Sequence, residues 1–288
     1  MTSTVTTLEL RAGALRVALR PDLGGSIAGC WHHDTPVLRS TEPNALETPR
    51  AAGCYPLVPY SNRIAQARFP WAGREHRVRA NVEEGSPHAL HGVGLRRAWT
   101  LVEAGERHAQ LQLDHPGDED WPFAFTVTQQ VTLDEHTLEL AMHFVNRDAE
   151  AAPAGLGWHP FFPKRSRSRL HAELSGRWDT DDERLPSRHV PQAGIDADVA
   201  YLDFDHCFTG WQGSVRIRDE RFSLLLTSAL PCLVVYTPPL RDCFAVEPVS
   251  HVTNALNMQP PQAHGIVTLA PGAAMSAAMK LNIQEVHA

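Results

Sequence analysis

Along much of the chain, apolar side chains return at every second residue. Leu15, Val17 and Leu19 alternate with Arg16, Ala18 and Arg20, and Ala109, Leu111 and Leu113 alternate with Gln110 and Gln112. Leu138, Leu140, Met142 and Phe144 alternate with Glu139, Ala141 and His143. Near the end, Met275, Ala277, Met279, Leu281 and Ile283 do the same against Ser276, Ala278, Lys280 and Asn282. A period of two sends successive side chains to opposite faces, so these segments predict strands with one face on a core and one toward solvent. Cys232-Leu233-Val234-Val235-Tyr236 is short and apolar throughout, which suits a strand covered on both faces.

Turn chemistry separates the strands at Pro21-Asp22-Leu23-Gly24-Gly25, at Asp114-His115-Pro116-Gly117-Asp118 and at Ala270-Pro271-Gly272. Residues 36–62 and 179–200 carry the weakest alternation and read as long loops with a helical turn or two. No linker, repeat or low-complexity tract divides the chain. The pattern therefore predicts one large all-β sandwich spanning residues 1–288.

Composition narrows the function classes. Hydrophobic residues make up 43% and charged residues 20%, the balance of a globular chain and not of a disordered one. A net charge of −7 argues against a nucleic-acid partner, and the basic run Lys164-Arg165-Ser166-Arg167-Ser168-Arg169 is too short and too poor in aromatics to reverse that. No apolar stretch reaches membrane-spanning length, and Met1-Thr2-Ser3-Thr4-Val5 does not open a secretory signal. Five cysteines without a C-x-x-C pair fit reduced thiols, so the expected location is cytoplasmic.

Candidate chemistry centres on two residues that each precede a proline. His159 lies in Gly157-Trp158-His159-Pro160-Phe161-Phe162 and Glu247 in Ala245-Val246-Glu247-Pro248. The pre-proline position excludes helix geometry, so both side chains are expected at strand ends. One can carry a proton and the other can accept one, the minimum for acid–base catalysis without a cofactor. His32-His33 and the His88-x-x-His91 spacing are metal-like, but zinc needs a third protein ligand in matching context and none is adjacent, so no metal is expected. Isolated histidines such as His76, His108, His136, His171, His189 and His287 read as surface or structural residues. Dinucleotide, nucleophile-elbow, P-loop and deaminase signatures all fail on a missing element.

Four further segments supply polar groups beside aromatic ones. They are Pro59-Tyr60-Ser61-Asn62-Arg63-Ile64, Pro87-His88-Ala89-Leu90-His91-Gly92, Asp203-Phe204-Asp205-His206-Cys207-Phe208, and the stretch after Glu247 that holds Asn254 and Asn257. Together they suit a sugar, whose hydroxyls need many directed hydrogen bonds and whose ring face stacks on aromatics.

In this order, Tyr60-Ser61-Asn62-Arg63-Ile64, Leu90-His91-Gly92, Gly157-Trp158-His159-Pro160-Phe161-Phe162 and Asp205-His206-Cys207-Phe208 resemble the successive motifs of the aldose 1-epimerase (galactose mutarotase) family. Arg16-Val17-Ala18-Leu19-Arg20-Pro21-Asp22-Leu23-Gly24-Gly25 is similar to its opening strands, so the resemblance covers nearly the whole chain. It implies a large antiparallel β-sandwich and interconversion of the α and β anomers of a free aldose. By resemblance, His159 is the general acid that protonates the ring oxygen O5 and Glu247 the general base that takes the O1 proton. His91 orients the sugar, and Asn62, Arg63, Trp158 and Asp205 bind it. The implied chemistry needs no cofactor. It also expects Glu247 ionised and His159 charged, each charge favouring the other.

One departure stands out. Where galactose mutarotases tend to read Glu-x-Gln, this chain reads Glu247-Pro248-Val249-Ser250-His251-Val252-Thr253-Asn254, as in a less characterised bacterial branch in which His251 and Asn254 would join the site. The alternatives are a mutarotase for hexose 6-phosphates, with Arg96, Arg97 or the 164–169 run facing the phosphate, and a non-catalytic sugar-binding module. A glycoside hydrolase lacks its carboxylate pair.

Overall fold

The computed structural model describes residues 7–82 and 85–286; Met1–Val5 and His287 lie outside the described residues. Two large antiparallel sheets dominate, one of nine strands and one of eight, beside a four-stranded sheet and three two-stranded ones. Among the described residues the only helical elements are short 3-10 turns of three or four residues. The all-β expectation holds.

The nine-stranded sheet contains His108–His115, Phe125–Asp134, Thr137–Asn146 and the C-terminal strand Ala274–Glu285 as consecutive neighbours. Its alternation is the one read from the sequence: Leu111, Val127, Leu140 and Leu281 are buried while their chain neighbours are more exposed. The inward side chains join a single apolar cluster with Trp158, Phe162, Leu233, Val246 and Phe244 of the eight-stranded sheet. Burial of such side chains, at ~1.5–3 kcal/mol each, is what holds the two sheets face to face.

Two expectations need correction. The strand Leu15–Arg20 is not half-exposed, because Ala18 and Arg20 are buried as well. A second apolar cluster of Ala18, Ala28, Trp31, Leu46 and Ala52 covers its other face, and Arg20 is neutralised by Asp22 at 2.7 Å. Residues 179–200 are not a long loop either. They contain the strands Pro186–Pro191 and Ile195–Asp198, which close the margins of the eight- and nine-stranded sheets. Pro186–Pro191 is exposed along most of its length and Ile195–Asp198 buries a single large side chain, Ile195, so the apolar signal in either edge strand is too short to stand out.

The eight-stranded sheet places the candidate chemistry. Its central strand Cys243–Val249 pairs on one side with Cys232–Tyr236. On its other side it pairs with two short pieces, Gly157–Trp158 and Phe161–Pro163. The partner strand is thus interrupted at His159-Pro160. By the same register Pro248 lies opposite Trp158, and having no N–H to donate it leaves a gap in the ladder between the Val246 and Ser250 N–H groups, which donate to Pro160 O and Leu156 O.

Candidate active site

Register brings the acid and the base together. Gly157 lies opposite Val249 and Phe161 opposite Ala245, so His159, midway between, stands opposite Glu247 on the same face of the sheet. Directly opposed residues in antiparallel strands have Cβ atoms about 5 Å apart. Here the two side chains meet, with His159 Nε2 3.1 Å from Glu247 Oε1. On the other flank Gly157 pairs with Leu57 and Trp158 with Pro56, which continues the row to Tyr55, whose carbonyl accepts from His159 N–H at 3.0 Å. His159 is at a strand end as expected; Glu247 lies inside its strand.

Around His159 the packing is aromatic. Phe161 stacks on its ring at 4.3 Å, Tyr55 lies at 4.7 Å and His91 meets it edge-on at 5.2 Å. The Arg39 guanidinium covers Phe161 at 3.7 Å. Tyr55, Phe161 and Arg39 were missed in the sequence. Tyr55-Pro56 repeats the pre-proline signal that marked the other two, and could have been found by it.

Burial controls the charges. His159 and Glu247 are 6% and 2% exposed. Desolvation pushes Glu247 well above the usual carboxylate range, with the Asp205 charge adding to it. Desolvation, helped by Arg39, pulls His159 down to about 3. Burial thus works against the expected pair of opposite charges, since desolvation disfavours the ionised form of each group. His159 Nδ1 and Glu247 Oε2 are buried without hydrogen-bond partners, which leaves each an open position for an incoming polar group.

Asn62 and His91 form a second cross-strand unit. Arg63 pairs with Leu90, and just beyond that pair His91 N–H donates to Asn62 O at 2.9 Å while Asn62 N–H donates to His91 Nδ1 at 3.1 Å. Both residues have positive φ, 55° and 63°, and Gly92 follows at 65°, where a Cβ would lie 2.1 Å from Val58 O. Burial holds His91 well below the ordinary histidine range. With Nδ1 accepting, neutral His91 carries its proton on Nε2 and is a fixed donor there. Arg63 is half-buried and donates to Asn62 Oδ1. Asp205 begins the strand Asp205–Thr209, half-buried on the same face as Glu247, since Asp205 opposes Tyr236 and Tyr236 opposes Ala245.

Three expectations resolve differently. Trp158 is one residue from His159 and therefore points to the opposite face. It is fully buried in the core, and its indole N–H donates to Gln129 Oε1 at 3.0 Å. It cannot be the surface on which a sugar stacks. His251 uses both ring nitrogens within the protein, accepting from Ser61 N–H at 3.0 Å and donating to Val252 O at 2.8 Å. Asn254 Oδ1 accepts from Ala65 N–H at 3.0 Å. These two anchor the Ser61–Ala65 segment to the loop after Glu247 and hold the site instead of lining it.

The sandwich of two large antiparallel sheets is a galactose mutarotase-like fold. The aldose 1-epimerase family model matches residues 6–282, and the chain belongs to that family. It is 30% identical to the uncharacterized protein YphB of Escherichia coli (strain K12), over 97% of this chain and 99% of that one. A crystal structure of a candidate aldose 1-epimerase from Escherichia coli K12 superposes with TM-score 0.89 at 29% identity, covering 98% of this chain and all of the other. A galactose mutarotase-like protein from Clostridium acetobutylicum shares the fold at TM-score 0.88 and 18% identity, over 99% and 97% of the two chains.

Two predictions follow the geometry. Trp158→Phe strands Gln129 Oε1 in the core and should cost ~1–3 kcal/mol in denaturant unfolding, with sugar KM changed less than about twofold; a large KM rise at intact stability would return Trp158 to the pocket. Glu247 has a folded pKa raised above its ordinary 4.5, so its contribution to stability is present below that pH and is lost as pH rises toward the folded value. Glu247→Gln should therefore be more stable than the parent, by a margin that widens above about pH 4.5 by up to ~1.4 kcal/mol per pH unit. A pH-independent margin in urea unfolding would refute the buried neutral carboxyl.

Proposed function

We propose that the protein is an aldose 1-epimerase acting on a free aldose, with Glu247 and His159 as its proton carriers. The observation that carries this reading is the 3.1 Å contact between an opposed, buried His159 and Glu247. Sugar hydroxyls entering beside the pair separate the two groups and solvate the ionised form, Glu247 carboxylate and His159 imidazolium. Glu247 then removes the O1 proton as His159 protonates O5, and the C1–O5 bond opens to the aldehyde. Rotation about C1–C2 presents the other face of the carbonyl, and closure runs both transfers backward.

Burial drives the opening step. Ring opening leaves Glu247 protonated and His159 neutral, the very state that desolvation favours. The pocket that raises the carboxyl and lowers the imidazole makes Glu247 a stronger base and charged His159 a stronger acid. The pair holds one proton before and after opening, so the cycle closes without exchange with solvent. His91 Nε2–H, Asn62, Arg63 and Asp205 are assigned to sugar hydroxyls, and Phe161 and Tyr55 to the ring face in place of Trp158. In this reading the reaction is redox-neutral and needs no cofactor.

Glu247→Gln and His159→Asn should each lower kcat by ~10²–10⁴-fold in polarimetry of freshly dissolved α-glucose or α-galactose, with sugar still bound in calorimetry. His91→Asn should affect kcat and KM together. A Glu247→Gln enzyme that keeps most of its kcat would sink the assignment, and sugar binding without faster anomer exchange in the parent chain would make the protein a binding module.

A second reading, an anionic sugar such as a hexose 6-phosphate, is favoured by a specific observation. Positive charge from Arg39 and Arg50 reaches His159, and that from Arg50, Arg63 and Arg96 reaches His91. Arg39 donates to the carbonyls of Ala52 and Arg50, Arg50 to those of Asn81 and Val82, and Arg96 to that of Leu90. Carbonyls fix a guanidinium without cancelling its charge. Of the other basic residues suggested by the sequence, Arg97 is engaged with Asp118 and Asp120, Arg165 with Asp219, and Arg169 with Asp196 and Asp198. If this cationic border selects the substrate, kcat/KM for α-glucose 6-phosphate should exceed that for α-glucose at least tenfold, with the advantage reduced by Arg96→Gln and by added salt; equal values would leave the neutral aldose.

A further inference from the structure

Far from the catalytic row, the fold assembles a donor set that the local sequence could not reveal. His32 ends the strand Ser26–His32 of the four-stranded sheet, and His33 follows it in a turn at φ 50°. Glu285 ends the strand Ala274–Glu285 of the nine-stranded sheet and reaches His32 Nδ1 at 3.0 Å. One ligand atom from each of His32, His33 and Glu285 falls within 4.8 Å of the others. A cavity of about 500 Å³ is lined by His32, His136, Asn282 and Glu285, so the cluster opens onto space of its own.

We propose that His32, His33 and Glu285 form a binding site for a divalent transition-metal ion of the zinc type. Two imidazoles and one carboxylate are a donor set that zinc takes with a fourth position left to water or to another side chain. Zinc–ligand distances of 2.0–2.2 Å place ligand atoms about 3.3–3.5 Å apart in a tetrahedron. The set must therefore contract by roughly 1.5 Å at its widest gap. His33 and Glu285 are exposed, and Glu285 already reaches His32, so no core packing opposes that contraction.

His32 is the fixed member. Its side chain is 6% exposed, packed edge-on to Phe222 at 6.2 Å and stacked with His136 at 6.1 Å. His136, on the turn between Asp134 and Thr137, borders the same cavity and is the side chain placed to supply a fourth ligand. An ion here joins two sheets through residues more than 250 positions apart, at the exposed end of the last strand. Such a clasp stabilises the native state because the unfolded chain has no preformed site.

Calorimetric titration of Zn²⁺ into the full-length chain, free of any affinity tag, tests this directly, with Mg²⁺ as the oxygen-preferring control. The expected result is one saturable Zn²⁺ site that Mg²⁺ does not fill. Zn²⁺ should also raise the melting temperature, and Co²⁺ should give visible d–d absorption displaced by Zn²⁺. His33→Asn keeps a residue that tolerates positive φ, and Glu285→Gln is exposed, so both variants should fold as the parent does. Each should weaken Zn²⁺ binding at least tenfold and remove the thermal shift. Absence of saturable binding, or binding unchanged in both variants, would overturn the site.

Discussion

The site depends on one constraint, the antiparallel register along the strand Cys243–Val249. Its partner on one side is broken into Gly157–Trp158 and Phe161–Pro163, yet the two pieces keep a common register with it. Because the register survives the break, His159 remains opposite Glu247 although neither it nor Pro160 belongs to a strand. A one-residue slip would turn His159 into the core and Trp158 outward. Trp158 guards against that slip: its large ring fills the core, and its N–H is satisfied only by Gln129 on the facing sheet, which is itself bonded to Gly25 O at 2.8 Å. Trp158 in the core thus sets the direction in which His159 points.

That register has an electrostatic consequence. A strand inside a covered sheet offers little water, so an acid opposed to a base there meets a desolvation cost that favours the neutral form of each. In solution such neutrality would waste both groups as catalysts. In the proposed reaction that preference sets the direction in which the pair discharges, and sugar hydroxyls would shift it to the charged form. The same burial that makes Glu247 costly to the fold would then supply its basicity, a familiar opposition between stability and function.

Different parts of this arrangement were legible in the sequence for different reasons. Long strands with one exposed face, such as Thr137–Asn146, announced themselves because burial alternates with chemistry. His159 and Glu247 were legible because proline restricts the residue before it. Trp158 was misread because an aromatic beside a catalytic residue looks like a sugar platform, and only the sheet's two-residue period decides which of two neighbours faces out. Tyr55 carried the same pre-proline signal and was passed over, whereas Arg39 was missed because it reaches the site through loop packing that no local pattern encodes. Glu285 was invisible beside His32-His33 for the same reason. The marginal strands within 179–200 gave too short a signal, since Pro186–Pro191 is mostly exposed and Ile195–Asp198 sends one large side chain, Ile195, into the core.

The departure from the familiar Glu-x-Gln pattern after Glu247 takes on a structural meaning. His251 and Asn254 each receive a backbone N–H from the segment that carries Asn62 and Arg63, and Asn254 itself adopts φ 58°. Asn62, His91 and Asn254 are all non-glycine residues in left-handed backbone, a conformation that costs of order 1 kcal/mol or more and persists only where surrounding bonds impose it. Gly155 lets the His251 ring approach so closely that a Cβ would lie 2.3 Å from it. The residues that distinguish this chain after Glu247 therefore belong to the frame that shapes the Asn62–His91 turn. In the proposed function, substrate choice would then rest on the arginines around the two histidines more than on the altered motif.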